Sequence, residues 1–502
     1  MLTRSDISYW ILDFIPQGRL LLILTRYFIV TMNLPLYKVS CCPGLSAICL
    51  LKRGVCNAAA SGLAAQRNDV LITESAEGVK LVNLQQPSLG LGCARVALVV
   101  KSGPRNESSE NRGISHLIRR SFGISTPELT SVNLTRHLQQ MGARVQCTTT
   151  REHMIYTVDV APNLAIRAGY LLCSMASSPC YYSWELNDIV YKLMRKDVDT
   201  LNRRDLSGLG MELLHEAAFG TSDSGCGLGY SLISPVDRIG SHSIDQINEY
   251  HSRAFVGEKC VLGIVHSRTD VDGSDILKQV KSSIHLNPPH LAARSDNYGF
   301  VGGEIRRDLI AASTVYAYLA WPSRGFCPVC DLVVCALNGS SNRIHHGGDA
   351  SKSLLARTAI EGDVDTEAVA FHKAYNDHGL FGIAVAGSCP KTVGSRIKRI
   401  ISVLRSANFT EENLKQTKQI LKADLMFRYE NPFHSLVDIS TNLLSSVNQG
   451  VKPIEIVASV NETDLKSFNN AINKIVMSDH AALSLVGPNL GSIEPLHVLL
   501  KG

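Results

Sequence analysis

The chain lacks an uninterrupted apolar run near the ~20 residues a membrane-spanning helix needs, although 45% of its residues are hydrophobic. Residues 7–30 come nearest, but Pro16, Gln17, Gly18 and Arg19 break the run and Arg26 breaks it again. There is no CxxCH for a c-type haem and no ferredoxin-like cysteine cluster, so the cofactors those motifs hold are not expected. A formal charge of +5 without a clustered basic face gives no footprint for nucleic acid. Apolar residues are not depleted, which sets the chain apart from disordered sequences. Acid is scarcest at the start: residues 1–67 hold only Asp6 and Asp13 against seven bases, Arg4, Arg19, Arg26, Lys38, Lys52, Arg53 and Arg67.

A basic, acid-poor leader able to form an amphipathic helix has the composition of a mitochondrial transit peptide, and Lys38–Arg67 fits that composition best. A membrane anchor is the rival reading of the apolar part. A secretory signal is another, but its positive charge would precede the apolar stretch rather than interrupt it. Met32 offers an alternative start that would leave residues 1–31 untranslated. Residues 1–68 are therefore expected to be a transit region, with a length of 502 residues leaving room for two domains beyond it.

Fourteen cysteines stand at irregular spacings, four of them (Cys41, Cys42, Cys49 and Cys56) in the leader, which predicts reduced thiols rather than a disulfide framework. Cys327 and Cys330 form a CxxC followed by Cys335. A structural zinc site wants a second ligand pair at matching spacing, and none is near. Phe326–Leu337 (FCPVCDLVVCAL) reads as an apolar helix that carries thiols. The adjacent His345 and His346, without an acidic or thiol partner, read as loop.

The chain nearly repeats itself. Thr150–Val158 reads TREHMIYTV and Tyr375–Ile383 reads YNDHGLFGI, so that Glu152, His153, Ile155, Tyr156 and Val158 recur as Asp377, His378, Leu380, Phe381 and Ile383 at an offset of 225. Ile247 and Tyr250 recur as Leu465 and Phe468 at an offset of 218, each pair ahead of an apolar strand, CVLGIV or AALSLV. Strands are expected at 91–100, 144–150, 153–160, 259–265, 309–321 and 481–486. Helices are expected around His116 and over 184–204, 206–219, 244–255 (behind an N-capping Ser243), 274–283, 390–406, 410–429 and 432–448. Runs of strands and then of helices predict an α+β class: two tandem homologous α/β sandwich domains, each an antiparallel-rich sheet packed on helices. The expected bounds are 69–283 and 300–502, with a polar, Pro-containing linker at 284–299.

The phrase Gly113-Ile114-Ser115-His116-Leu117-Ile118-Arg119-Arg120, with the order of elements and the duplication, resembles the pitrilysin/insulinase-type metallopeptidases. In that family zinc sits on an inverted His-x-x-Glu-His motif: two His one helical turn apart bind the metal, the Glu acts as general base, and a distant acid completes the shell. Here His116 fills the first position, while Arg119 stands for the Glu and Arg120 for the second His. Asp197, in Arg195-Lys196-Asp197, lies near the third-ligand position. An Arg takes no proton from water at neutral pH, and two guanidinium groups repel a cation. Carried over by motif, the resemblance thus implies no catalytic residue, no metal and no cofactor, with His116, Arg119 and Arg120 as degenerate zinc-motif positions.

TREHMIYTV, WELNDI (Trp184–Ile189), LLHEAAF (Leu213–Phe219), GGEIR (Gly302–Arg306) and YNDHGLFGI are similar to the zinc-lacking branch of that family. The branch includes the core proteins of mitochondrial ubiquinol–cytochrome c reductase and the alpha subunit of the mitochondrial processing peptidase. The alpha subunit carries a continuous glycine run; Leu337–Asp349 has Gly339, Gly347 and Gly348 but no run, which favours a core protein. The resemblance implies a matrix-side scaffold of complex III at the inner membrane. Its partners would be a core protein 1-like homologue and the cytochrome b, cytochrome c1 and iron–sulfur subunits.

Overall fold

Eleven strands form two sheets in the computed structural model, which describes residues 69–501 apart from 76–77, 86–91, 222–226, 268–272, 283, 285, 287–298, 340–352, 362–364, 446–452, 477 and 479. The leader, most of the 284–299 linker and the His345-His346 pair lie outside the described residues. The first sheet is built from β1 (Asp69–Glu74), β2 (Lys80–Gln85), β3 (Ala94–Val100), β4 (Arg144–Thr149), β5 (Met154–Val160) and β6 (Cys260–His266), in the order β1-β2-β6-β3-β5-β4. The second contains β7 (Gly303–Asp308), β8 (Val315–Arg324), β9 (Glu367–Ala374), β10 (His378–Gly387) and β11 (Ala482–Gly487), in the order β7-β11-β8-β10-β9. One pair in each sheet is parallel, β2 with β6 and β7 with β11; all the others are antiparallel. With β1 set aside, the two sheets share one strand order and one set of polarities, so the echoes at offsets 225 and 218 are echoes of structure.

The helices that matter for the sites below are α1 (Ile114–Arg120), α2 (Tyr191–Arg203), α3 (Leu206–Phe219), α4 (Ile244–Ala254), α5 (Pro328–Asn338), α6 (Pro432–Leu444) and α7 (Leu465–Val476). α4 begins where its sequence says it should: the Ser243 hydroxyl accepts from the Gln246 N–H and the Gln246 side chain accepts from the Ser243 N–H. This reciprocal cap satisfies two donors that a helix start leaves open. It turns Ile247 and Tyr250 into the core, as Phe468 is turned in from α7. The stretch expected as one long helix over 184–204 is continuous but carries a π-helical turn at Leu186–Val190 before α2.

Helices α3 and α6 are exchanged between the two sheets. α3 comes from the first half of the chain, yet its Leu214, Ala217, Ala218 and Phe219 pack on Tyr318, Ala320, Leu380 and Ala482 of the second sheet. α6 comes from the second half and sets Leu436, Ile439, Leu443 and Leu444 on Val82, Ala97, Val99, Ile155, Val261 and Val265 of the first. The exchange explains why β6 (CVLGIVH) is apolar from Cys260 to Val265 and buried at every position. Leu262 and Ile264 face one core, Val261 and Val265 face α6, and a strand covered on both sides loses its alternation. Both crossings are close: a Cβ on Gly263 would lie 2.6 Å from Leu436 Cδ1, and one on Gly210 would enter the Tyr318 ring. Polar contacts mirror each other too, with Ser484 Oγ donating to the Gly210 carbonyl at 2.7 Å and Lys80 Nζ to that of Leu443 at 2.9 Å.

The strand expected over 309–321 begins six residues later. The apolar Leu309–Thr314 stretch turns instead of extending, with the Ala312 N–H on the Leu309 carbonyl at 3.0 Å and the Leu309 N–H on that of Gly487 at 2.8 Å. Composition alone suits a strand there, but pairing with β10 starts only at Val315, opposite Gly387.

Candidate functional site

Helix α1 carries the motif positions, and its start is held by a carboxylate outside it. Glu107, 3% exposed, accepts from the N–H groups of Gly113 (2.7 Å) and Ser115 (2.9 Å) and from the Ser115 hydroxyl. A carboxylate against the positive end of a helix is favourable, but burial still pushes it up to about 7. The next residue, His116, is 2% exposed. Its Nδ1 accepts from the Ser234 N–H at 3.1 Å, so the ring proton sits on Nε2 and is donated to Asp197 Oδ2 at 2.9 Å. Asp197 comes from α2. Arg119 Nη2 donates to the same oxygen at 3.3 Å and Arg120 Nε at 2.5 Å, while Arg120 Nη2 takes Oδ1. The fold therefore brings His116, Arg119, Arg120 and Asp197 together.

The electrostatics follow from that gathering. Burial lowers His116, and the hydrogen bond to Asp197 only partly opposes it. Burial, and then the neighbouring Arg120, lower Arg119. Asp197 would be raised by burial, yet hydrogen bonds from His116 and Arg120 and the charge of Arg120 hold its carboxyl well below the usual range. What results is a neutral imidazole, one carboxylate and two guanidinium cations that tie α1 to α2.

The duplicated turns meet as well. Arg105 Nη1 pairs with Glu152 Oε1 at 2.5 Å and Arg105 Nη2 with Asp377 Oδ2 at 2.6 Å. The Asn376 N–H donates to Glu152 at 3.1 Å. The two acids that echo each other at offset 225 thus share one arginine across the two halves. Arg105 and Glu152 are 13% and 12% exposed at the side chain, so removing the arginine strands the Glu152 carboxylate in a poorly solvated place, while Asp377, 34% exposed, keeps part of its water. Arg105→Ala is expected to cost about 3 kcal/mol in a urea melt; a loss under about 0.5 kcal/mol would mark the bridge as a screened surface pair. Sequence spacing carried no sign of Arg105, which sits in the turn after β3. His153 and His378 flank this junction. Burial depresses His153 to about 4, and His378 Nε2 stands 3.7 Å from Asp377.

Comparison with known proteins bears on the His116 cluster. Residues 92–228 match the insulinase family, peptidase family M16. Over a longer span the chain is similar to the cytochrome b-c1 complex subunit 2 of Mus musculus, 25% identical over 78% of this chain and 84% of that protein. It is also similar to that of Homo sapiens, 24% identical over 86% and 93% respectively. A probable mitochondrial-processing peptidase subunit alpha-1 of Arabidopsis thaliana is 22% identical over 81% of this chain and 79% of its own. The insulinase match covers α1 and α2, so the zinc of that family is tested directly on these donors. The Nδ1 of His116 is already bonded to Ser234, its Nε2 proton goes to Asp197, and the two other motif positions present guanidinium groups, which have no lone pair to give. These residues do not fit a zinc ion. Among the described residues no set of three or more His, Cys, Asp or Glu side chains gathers to hold a metal. No helix among them is long and apolar enough to cross a membrane.

Proposed function

We propose that the chain is a structural core subunit of mitochondrial complex III, the core protein 2 position, and is inactive as a zinc peptidase. The observation that carries this reading is the likeness to cytochrome b-c1 complex subunit 2 over 78% and 86% of the chain in two organisms. The arginine pair at the inverted motif adds to it. Arg120 and Arg119 take the carboxylate that a metal would otherwise neutralise, so the helix pair is held by an ionic bond and the site has no general base. The work of such a subunit is packing. Residues 1–68 direct it to the mitochondrion, and two homologous domains (69–283 and 300–502, joined by 284–299) present surface on the matrix side of the inner membrane. The surfaces they meet are those of a core protein 1-like partner and of cytochrome b, cytochrome c1 and the iron–sulfur subunit.

The likeness to a processing-peptidase alpha subunit supports a second reading, a non-catalytic, substrate-recognising partner of a zinc-bearing subunit. A native gel of gently solubilised mitochondria, probed for this chain, separates the two. Migration with cytochrome b and cytochrome c1 is the expected result. Migration as a soluble species of about twice the 54.7 kDa of this chain would overturn the complex III assignment in favour of the processing peptidase.

A further inference from the structure

The CxxC at Cys327 and Cys330 belongs to neither the His116 cluster nor the exchanged helices, and its surroundings are built for thiol chemistry. Cys327 is the N-cap of α5, an eleven-residue helix with Pro328 in its first turn. A thiolate at that end is favoured by the helix dipole and the open N–H groups. Cys330 Sγ lies 3.0 Å from Cys327 Sγ and donates its proton to it. The two thiols differ in access: Cys327 is half-buried, whereas Cys330 is 3% exposed. Beside them on β9 stands His372, its side chain 2% exposed. Its Nδ1 is bonded to Asp331 at 2.8 Å, and its Nε2 is buried without a hydrogen-bond partner. A buried, unsatisfied ring nitrogen calls for an explanation, and a titratable group next to a dithiol supplies one.

We propose that Cys327 and Cys330 are a redox-active dithiol that exchanges with a small disulfide of the glutathione class, Cys327 attacking and Cys330 resolving. The Cys327 thiolate attacks one sulfur of RS–SR, forming a Cys327–SR bond and expelling RS⁻. Cys330 then loses its proton to solvent and attacks the Cys327 sulfur, forming the Cys327–Cys330 disulfide and expelling the second RS⁻. Two electrons pass from the dithiol to the small disulfide, and both RS⁻ leave as RSH on taking up protons. The hydrogen bond from Cys330, the Cys330 N–H and the charge of His372 lower the Cys327 thiol to about 6 against burial. The bond to Cys327 and then burial push Cys330 upward. Cys335, buried on the same helix, is pushed up to about 12 by burial and serves as an internal control.

The test is iodoacetamide capture on the full chain across pH 5–9, followed by mass spectrometry of the peptide carrying all three thiols, and then equilibration in glutathione buffers of graded ratio. Cys327 is expected to react with a midpoint near 6 and, at pH 7, more than roughly tenfold faster than Cys335. In the graded buffers the peptide should lose two hydrogens in one two-electron step. Cys330→Ser should trap glutathione on Cys327, and Cys327→Ser should leave Cys330 unmodified. An ordinary midpoint of about 8.5 for Cys327 would overturn the proposal, as would a dithiol that stays reduced in the most oxidising buffer. So would a zinc ion retained by the native chain and lost in Cys327→Ser. The titration of the native chain stands whether or not the variants fold.

Discussion

Asp197→Ala is expected to destabilise the fold by about 2–3 kcal/mol at neutral pH, because it strands Arg119 and takes the acceptor from the buried His116, while Arg120, 37% exposed, keeps part of its hydration. The Asp197 side chain is 16% exposed and that of Arg119 18%, and with the carboxylate gone the charges of Arg119 and Arg120 are left without the anion they share. Asp197→Asn keeps the shape and an oxygen for His116, so the difference between the native chain and this variant isolates the charge. The sign of the pH dependence follows from the depressed carboxyl. A group whose folded value lies below its unfolded one contributes fully above the unfolded value, about 3.9, and fades as pH falls through the folded value. The gap between the native chain and Asp197→Asn should therefore be level from pH 5 to 8 and narrow only below about pH 4. His116 adds a separate acid-side loss. Burial lowers it in the folded chain, so below about 6.5 the unfolded imidazole takes up a proton that the folded one refuses. Urea melts at several pH values measure both. A gap that stays level down to pH 3, or an Asp197→Ala loss under about 1 kcal/mol, would show that the carboxylate does not hold α1 to α2.

That cluster was half legible. His116, Arg119 and Arg120 are three residues of one helical phrase, so their shared face follows from spacing alone. Asp197 was named only as the acid near a third-ligand position, since the α1–α2 crossing that brings it to Arg120 is not written in any local pattern. The duplication was legible because it repeats apolar periodicity: Tyr156 and Phe381 sit on equivalent strands, Tyr250 and Phe468 on equivalent helices. What the repeat could not convey was that its two copies touch. Arg105 joins Glu152 to Asp377, and nothing in a turn reading Ser102-Gly103-Pro104-Arg105 announces a partner 272 residues away. β7 (GEIRRD) escaped for another reason: it is a charged strand at the sheet edge, short and without alternation, where side-chain pattern is weakest and only pairing with β11 defines it. His372 was invisible as a neighbour of the CxxC for the same reason as Asp197. It reaches α5 from β9, 41 residues from its partner Asp331.

The exchanged helices make the most distinctive prediction. Phe219, 1% exposed, and Leu436, 0% exposed, are the buried anchors of α3 and α6. Truncating such side chains leaves cavities that cost about 3–5 kcal/mol for Phe219→Ala and about 2–5 kcal/mol for Leu436→Ala. Magnitude alone would not separate an exchanged helix from any other buried one; location does. Phe219 packs with Tyr318, Leu380 and Ala482, so Phe219→Ala should speed amide exchange in β8, β10 and β11, all of them in the second half of the chain. Leu436 packs on Val261, Val265 and Ala97, so Leu436→Ala should speed it in β3 and β6, earlier in the chain. The two anchors lie in separate clusters with no shared partner, and their costs should add within about 0.5 kcal/mol. Hydrogen exchange read by mass spectrometry reports each strand separately. Loosening confined to the half of the chain that carries each substitution would rule the exchange out. Loosening in the opposite half means that neither sheet has a complete core until the other half has folded, and the halves then unfold as one unit.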